Sequence, residues 1–194
     1  MDSQPPVSRS FKPMTLALAG VAVLAAGVSL LPPDVRPWNL AVLGALALFA
    51  TARLRFPLAL LVVGTALALK EVGVYLQYGF PPNPPTWLCL AGYAVLGGAL
   101  LRKTESPLRI GATALGASLL FFFTSNFMAW VEQALPYGYS LEGLLNCYVK
   151  AIPFYRGTFI GDMVFTAALF GAHAVLSRAY FPAERVAVAV NRSE

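Results

Sequence analysis

The chain has 194 residues, of which 58% are apolar and only 12% are charged. Soluble domains carry about 25% charged residues, so this composition excludes a water-soluble globule. Soluble enzymes and nucleic-acid-binding modules are excluded with it. The length suits a single membrane domain, because each span needs about 20 apolar residues and a loop. The net charge of +5 matters less than where the positive side chains lie.

Apolar runs that end at prolines, glycines and charged clusters predict an all-α membrane protein with six transmembrane helices. The first run follows Arg9 and Lys12 as in a secretory signal, but it lacks a small-residue cleavage site, which favours a retained helix. Tails at 1–13 and 181–194 flank the domain 14–180. The predicted spans cover residues 14–31, 38–52, 56–78, 87–101, 108–130 and 158–180.

The stretch 137–155 differs from the six runs because it is too polar and too short to span a membrane. Its larger apolar side chains repeat at the spacing of one helical face. We therefore predict an amphipathic surface helix or hairpin that covers the outer side of the bundle as a lid. The residues of this face are Leu141, Leu144, Leu145, Tyr148 and Ile152.

Positive side chains are distributed unequally between the two sides of the six-helix arrangement. Of the 14 Lys and Arg residues, ten fall on the side of the termini, three on the other, and Lys70 lies within a run. Short cytoplasmic loops carry the excess of Lys and Arg in membrane proteins. This bias predicts that both termini are cytoplasmic.

Polar side chains inside the apolar runs are the strongest sequence signal of a functional site. At 1.5 Å per residue, those of the runs 56–78, 108–130 and 158–180 lie at one level toward the outer face. They predict an outward-facing ligand pocket between these helices, beneath the lid. The predicted ligand-binding residues are Asp162, Arg156, Asn126, Trp130, Tyr148 and Glu71.

The charged members of this set also have structural interpretations. Asp162 is equally explained by an ion pair with Arg156 or Lys70, and Glu71 by neutralisation through the adjacent Lys70. The uncharged members have alternatives as well, since an intramembrane amide often bonds a neighbouring helix and a terminal tryptophan often joins an interfacial belt. A relay from Asp162 to His173 is less favoured than a packed histidine.

Catalytic and nucleotide-binding patterns are absent from the sequence. It contains no GxxxxGK[ST] loop, HExxH pair or GxSxG turn. We therefore predict no enzymatic activity, no cofactor, no metal site and no nucleic-acid partner. Cys89 and Cys147 form no metal-binding pattern, and the sequence leaves their pairing open.

Three segments carry a resemblance to a known family. They are 38–49 (WNLAVLGALALF), 119–127 (LLFFFTSNF) and 141–162, which contains LEGLLNCY, AIPFYR and GD. Together they resemble an uncharacterised bacterial family of membrane transport type, similar in turn to the substrate-binding S components of energy-coupling factor (ECF) transporters. Ala41 replaces a proline of the family pattern, and Glu71 is the nearest candidate for its acidic residue in the third helix. The motif residues by position are Asn126, Cys147, Tyr148, Pro153, Arg156 and Asp162.

The resemblance implies a six-helix S-component-like fold in the inner membrane, with a ligand site near the outer face. It also implies a partner membrane subunit and ATPases that supply energy. The leading functional hypothesis is thus a transport subunit that binds a small nutrient or metabolite. The alternative is a structural or assembly subunit of a membrane complex with no small-molecule ligand.

Overall fold

The computed structural model describes residues 41–133 and 135–180, together with the helical positions 15–17, 19, 20, 23 and 27. The predicted tails, most of the first span and the start of the second lie outside the described residues. From residue 41 onward the described chain is helical and contains no strand. Its five helices are α1 (Leu43–Arg53), α2 (Phe56–Tyr78), α3 (Pro84–Leu96), α4 (Pro107–Val131) and α5 (Leu141–Ala179).

The short helix α1 is the centre of the bundle. All nine residues from Gly44 to Ala52 are buried, and α2, α3, α4 and α5 all contact them. The sequence LGALALFATAR is rich in small residues, which let neighbouring helices approach closely on every side. The 11 residues of α1 extend only about 16 Å, about half the thickness of the hydrocarbon core of a bilayer.

Local sequence signals explain where the outer helices begin and end. Prolines occupy the first turn of α2, α3 and α4, where their missing N–H group costs no hydrogen bond. Asn83 and Ser106 cap α3 and α4 by accepting from the N–H groups of Thr86 and Arg109. Gly79 ends α2 in the left-handed conformation, with φ of 71°.

A five-residue π-helical turn, Gly97–Leu101, extends α3 to the end of the predicted span. Gly97 lies directly against α1, where a methyl group would overlap the Leu48 carbonyl oxygen and the Thr51 side chain. The turn brings Arg102 to α1, where Arg102 Nε donates to the Thr51 carbonyl oxygen at 3.3 Å. The π turn therefore fits α3 closely to the central helix.

The predicted surface helix 137–155 is not a separate element, and this corrects the sequence prediction. Ser140 caps α5 at the Gly143 N–H group, and the helix continues for 39 residues through Pro153. A proline inside a helix removes one backbone donor and crowds the carbonyl group four residues earlier, and contacts with α4 on both sides of Pro153, from Tyr148 to Phe123 and from Tyr155 to Phe122, oppose this loss. On this part of α5, Leu141, Leu145 and Ile152 are more than half exposed, while Gly143 and Cys147 are buried.

Four of the described helices are long and apolar enough to cross a membrane. They are Phe56–Tyr78, Pro84–Leu101, Pro107–Val131 and Leu141–Ala179. The first three agree with the predicted spans 56–78, 87–101 and 108–130 to within three residues at each end. The helix α1 is too short to cross a membrane by itself. Among the described residues, the structure thus supports four membrane-spanning helices, whereas the sequence predicts six.

Candidate functional site

A buried carboxyl group meets a buried phenol at the centre of the bundle. Asp162 of α5 is 0% exposed and Tyr93 of α3 is 2% exposed. The Tyr93 hydroxyl donates to Asp162 Oδ2 at 2.5 Å, which is the short distance of a charge-assisted or strongly polarised hydrogen bond. This bond links two helices whose contributing residues are 69 positions apart in the sequence.

Gly44, in the first turn of α1, makes room for this pair. A methyl group at Gly44 would lie 2.6 Å from Asp162 Oδ1 and 2.6 Å from the Tyr93 ring. The carboxyl group therefore lies at the amino end of α1, where aligned peptide dipoles place a partial positive charge. Val42, the residue before the helix, supplies no side-chain cap. The site thus combines a helix terminus with an acidic side chain inside the bundle.

Several buried oxygens around this pair have no hydrogen-bond partner among the described residues. They include Asp162 Oδ1, Ser118 Oγ of α4 and Thr166 Oγ1, one turn beyond Asp162 on α5. Ser118 interacts electrostatically with both Asp162 and Tyr93, although its hydroxyl oxygen does not satisfy hydrogen-bond geometry with either. An unsatisfied buried polar group costs about 1–3 kcal/mol, so this cluster makes the region around Asp162 a candidate site.

An open groove lies between α4 and α5, nearer the Val131–Ser140 connection than the opposite end of the bundle. It consists of two adjoining pockets of about 320 and 460 Å³. Asn126, Ala151 and Phe154 line both pockets, which makes the two pockets neighbours. The first pocket is completed by Phe121, Phe122, Ser125, Tyr155 and Thr158, and the second by Ala129, Leu135, Tyr137, Cys147 and Lys150.

Tyr155 lies between the groove and the buried cluster. Its ring packs against Phe122 with centroids 4.6 Å apart, and it lines the first pocket. Its hydroxyl oxygen is buried without a partner among the described residues, and the side chain interacts electrostatically with Tyr93.

The predicted ligand residues lie in different environments. Asn126 lines the groove while its amide nitrogen donates to the Phe122 carbonyl oxygen at 2.7 Å. Asp162 belongs to the buried cluster. Glu71 of α2 accepts from Lys70 Nζ at 2.8 Å and from the Asn83 N–H group at 3.3 Å. This is the structural interpretation of Glu71, in which the adjacent Lys70 neutralises its charge. These three side chains do not meet in a single cavity of the described structure.

The remaining predicted residues bond to the backbone or face outward. Trp130 Nε1 donates to the Gly138 carbonyl oxygen at 3.0 Å, and the Tyr148 hydroxyl to that of Phe123 at 3.0 Å. The first bond ties α4 to the connection before α5, and the second ties α4 to α5 itself. Arg156 is exposed and lies about 240° around the helix from Asp162, so the considered Asp162–Arg156 ion pair is not formed.

Sequence reasoning missed Tyr93, Ser118 and Gly44. Tyr93 lies near the middle of the predicted span 87–101, which is too deep for an interfacial belt, and this depth is the sequence signal that could have identified it. Ser118 resembled one of many small residues that pack helices together. Gly44 carries no chemistry itself, and only the fold shows that it admits Asp162.

The two cysteines of the described region are not paired with each other. Cys89 and Cys147 are free thiols that contact Thr124 Oγ1 at 3.3 Å and the Asn126 carbonyl oxygen at 3.4 Å. Within residues 41–133 and 135–180, no group of three His, Cys, Asp or Glu side chains could hold a metal ion.

The fold and the site define a helical protein of membrane type, with a polar cluster in its core and a groove between two of its long helices. The chain belongs to a family of unknown function, DUF6580, whose model matches residues 9–186. No curated protein and no solved structure shows significant similarity to the chain.

Proposed function

We propose that this protein is a membrane transport subunit that binds a small nutrient or metabolite in the groove between α4 and α5. The observation that carries the proposal is the groove itself, in which aromatic walls surround a few polar side chains. Asn126 provides an amide to both pockets, Lys150 provides a cation to the second, and the Tyr155 ring forms part of the wall of the first. Small-molecule sites combine apolar walls with a few polar groups in the same way.

The size of the groove suits this role. Its two pockets, of about 320 and 460 Å³, fall within the range of about 300–1,000 Å³ typical of ligand sites. Phe121, Phe122 and Phe154 supply flat apolar surfaces for a ring or short chain. The Tyr155 ring lines the first pocket, whereas its hydroxyl oxygen is buried, with no hydrogen-bond partner among the described residues.

The distribution of charge supports an outward-facing groove. Arg53 donates to the carbonyl oxygens of Leu101 and Thr104, at 2.5 and 2.6 Å, and thus joins two Arg/Lys-rich connections at one end of the bundle. The groove lies toward the other end of α4. Because cytoplasmic connections are the positively charged ones, we place the Arg53 end in the cytoplasm of the inner membrane and the groove outside.

A filled-groove variant tests ligand binding. Thermal shifts of the purified protein against a panel of vitamins and metabolites should give at least one hit. Ala151→Leu should remove that shift, because Ala151 lines both pockets. Val149→Leu is the matched control, since Val149 lies two residues away on α5 and is 62% exposed. Equal shifts in wild type and Ala151→Leu would place the ligand elsewhere.

Energy for transport would come from partner subunits, as in the S-component arrangement that the sequence resembles. The exposed apolar surface of α2, which includes Leu60, Leu61 and Leu76, is compatible with lipid or a membrane partner. Gentle pull-down from membranes should recover ATPases with the protein. A stable partner without ATPases, combined with no ligand hit, would favour the structural or assembly subunit.

A further inference from the structure

The groove between α4 and α5 carries a positive charge that no neighbouring acid balances. Among the described residues that line its two pockets, Lys150 is the charged side chain, and none is acidic. Within the described part of the chain, no carboxylate oxygen lies within 4.0 Å of Lys150 Nζ. The Tyr137 ring, with its centroid 5.4 Å from Nζ, holds the ammonium group at the second pocket without neutralising it. Such a site is complementary to a negatively charged ligand.

The two pockets follow one another along the helices. On α5 the second pocket extends from Cys147 to Phe154 and the first from Ala151 to Thr158, and α4 contributes its residues in the reverse order. The second pocket is therefore the one nearer the connection between the two helices. Lys150 and Thr158 are about 12 Å apart along the helix, at 1.5 Å per residue. A ligand that fills both pockets thus has its charged end at Lys150 and its other end about 12 Å deeper.

The depth of the groove in the membrane sets the polarity of each pocket. Arg53 Cζ lies 4.9 Å from the centre of the Phe170 ring, at the end of the bundle that we place in the cytoplasm. Between Phe170 and Lys150, α5 extends about 30 Å, which is the thickness of the hydrocarbon core. The groove therefore combines a cation at the outer interface with aromatic walls at hydrocarbon depth.

We infer that the ligand of the groove is an amphipathic organic acid with a flat ring, whose carboxylate binds Lys150 while its ring packs in the first pocket. This inference rests on the proposed ligand-binding function and names the chemical class of the ligand. Phe121, Phe122 and Phe154 supply the walls for the ring. Asn126 lines both pockets and uses one N–H group on the Phe122 carbonyl oxygen, so its amide keeps a second N–H group for a polar atom of the ligand.

A membrane phospholipid shares part of this chemistry, because it also joins an anionic group to apolar chains. The polar side chains of the first pocket favour the organic acid instead. Ser125, Asn126 and Thr158 lie beside the aromatic rings at the depth of the acyl chains, and a hydrocarbon chain forms no hydrogen bond with them. The two sources are separable by experiment, since a tightly bound phospholipid remains with the purified protein.

Three indoles that share one ring test the charge of the ligand. At neutral pH, indole-3-acetate is an anion, indole-3-acetamide is neutral and tryptamine is a cation. Binding is measured by saturation-transfer NMR with the full chain in phosphatidylcholine nanodiscs, after subtraction of the signal from empty nanodiscs. The acetate should bind about fivefold more tightly than the acetamide, the upper end for a solvent-exposed ion pair, and tryptamine should bind most weakly. Ala151→Leu should remove the binding of all three, because Ala151 lines both pockets.

Variants of Lys150 show whether this side chain causes the preference. Lys150→Gln should abolish the difference between acetate and acetamide, whereas Lys150→Arg keeps the charge and should retain it. Lys103→Gln is the matched control, since Lys103 is an exposed lysine just after the π-helical turn, at the other end of the bundle. Both lysines are exposed, so these variants should fold as the wild type does.

The outcomes separate this inference from the proposed function. Equal binding of the three indoles, or a preference for tryptamine, would overturn the inference and leave a ligand-binding groove in place. Failure of all three to bind would also overturn it, while a metabolite hit that Ala151→Leu removes would still support the proposed function. Native mass spectrometry that finds phosphatidylglycerol on the wild type and not on Lys150→Gln would identify a lipid phosphate at Lys150 instead of a water-borne acid.

Discussion

The hydrogen bond from Tyr93 to Asp162 joins α3 and α5 across the amino end of α1. Both residues are almost completely buried, and the bond is 2.5 Å long. Since α1 starts at this point with Gly44 against both side chains, the bond fixes two outer helices on the central one. The cluster is thus a structural junction as well as a chemical site.

Removing the phenol hydroxyl should destabilise the protein. Tyr93→Phe keeps the ring that packs near Phe121 but leaves Asp162 Oδ2 without its donor. We expect a loss of about 1–3 kcal/mol, the usual penalty for a buried polar group deprived of its partner. Thermal unfolding in lipid nanodiscs measures the effect as a lower Tm. Tyr75→Phe is the control, because Tyr75 is 56% exposed on α2 and should give an unchanged Tm.

Gly161 should tolerate no side chain. A methyl group at this position would overlap the backbone of Ala41, directly before α1. Gly161→Ala is therefore expected to lower stability by about 1–3 kcal/mol, as overpacking of a tight contact does. Gly171→Ala, ten residues further along α5, meets nothing within 4 Å and should be neutral or slightly stabilising. Equal Tm values for the two variants would contradict close packing between α5 and the start of α1.

Arg53 should stabilise the end of the bundle that we place in the cytoplasm. Its guanidinium group binds the carbonyl oxygens of Leu101 and Thr104 and lies 4.9 Å from the centre of the Phe170 ring. Arg53→Lys keeps the charge but loses the fork that reaches both carbonyl oxygens, so we expect a loss of about 1–2 kcal/mol. Arg55→Lys, on an exposed neighbour, should not change the Tm.

The positions of the long helices could be predicted because hydrophobicity and proline reveal where a span begins and ends. The span 56–78 coincides with α2, and 108–130 differs from α4 by one residue at each end. The central position of α1 could not be predicted in this way. Lipid and protein interiors are similarly apolar, so an Ala/Leu-rich run does not reveal which of the two surrounds it.

The site was predictable only in part, for a related reason. Asp162 stood out because a carboxyl group inside an apolar run is rare. Its partner Tyr93 and the space provided by Gly44 depend on how α3, α5 and α1 are arranged, which one sequence does not specify. The predicted meeting of Glu71 with Asp162 assumed that a shared depth means a shared cavity. Glu71 instead bonds to Lys70 and to the turn before α3.

Continuity of α5 through Pro153 gives a distance that can be measured. Spin labels at Val149 and Val164, both more than half exposed, lie on either side of the proline. Fifteen residues of unbroken helix place the two Cα atoms about 22 Å apart, at 1.5 Å per residue. Pulsed electron paramagnetic resonance on a variant with Cys89 and Cys147 replaced by serine should give one narrow distribution near this separation. A surface lid that folds away from the spanning segment near residue 156 would bring the labels closer and broaden the distribution. A second pair at Val164 and Val175, entirely beyond Pro153, calibrates the label geometry on the same helix.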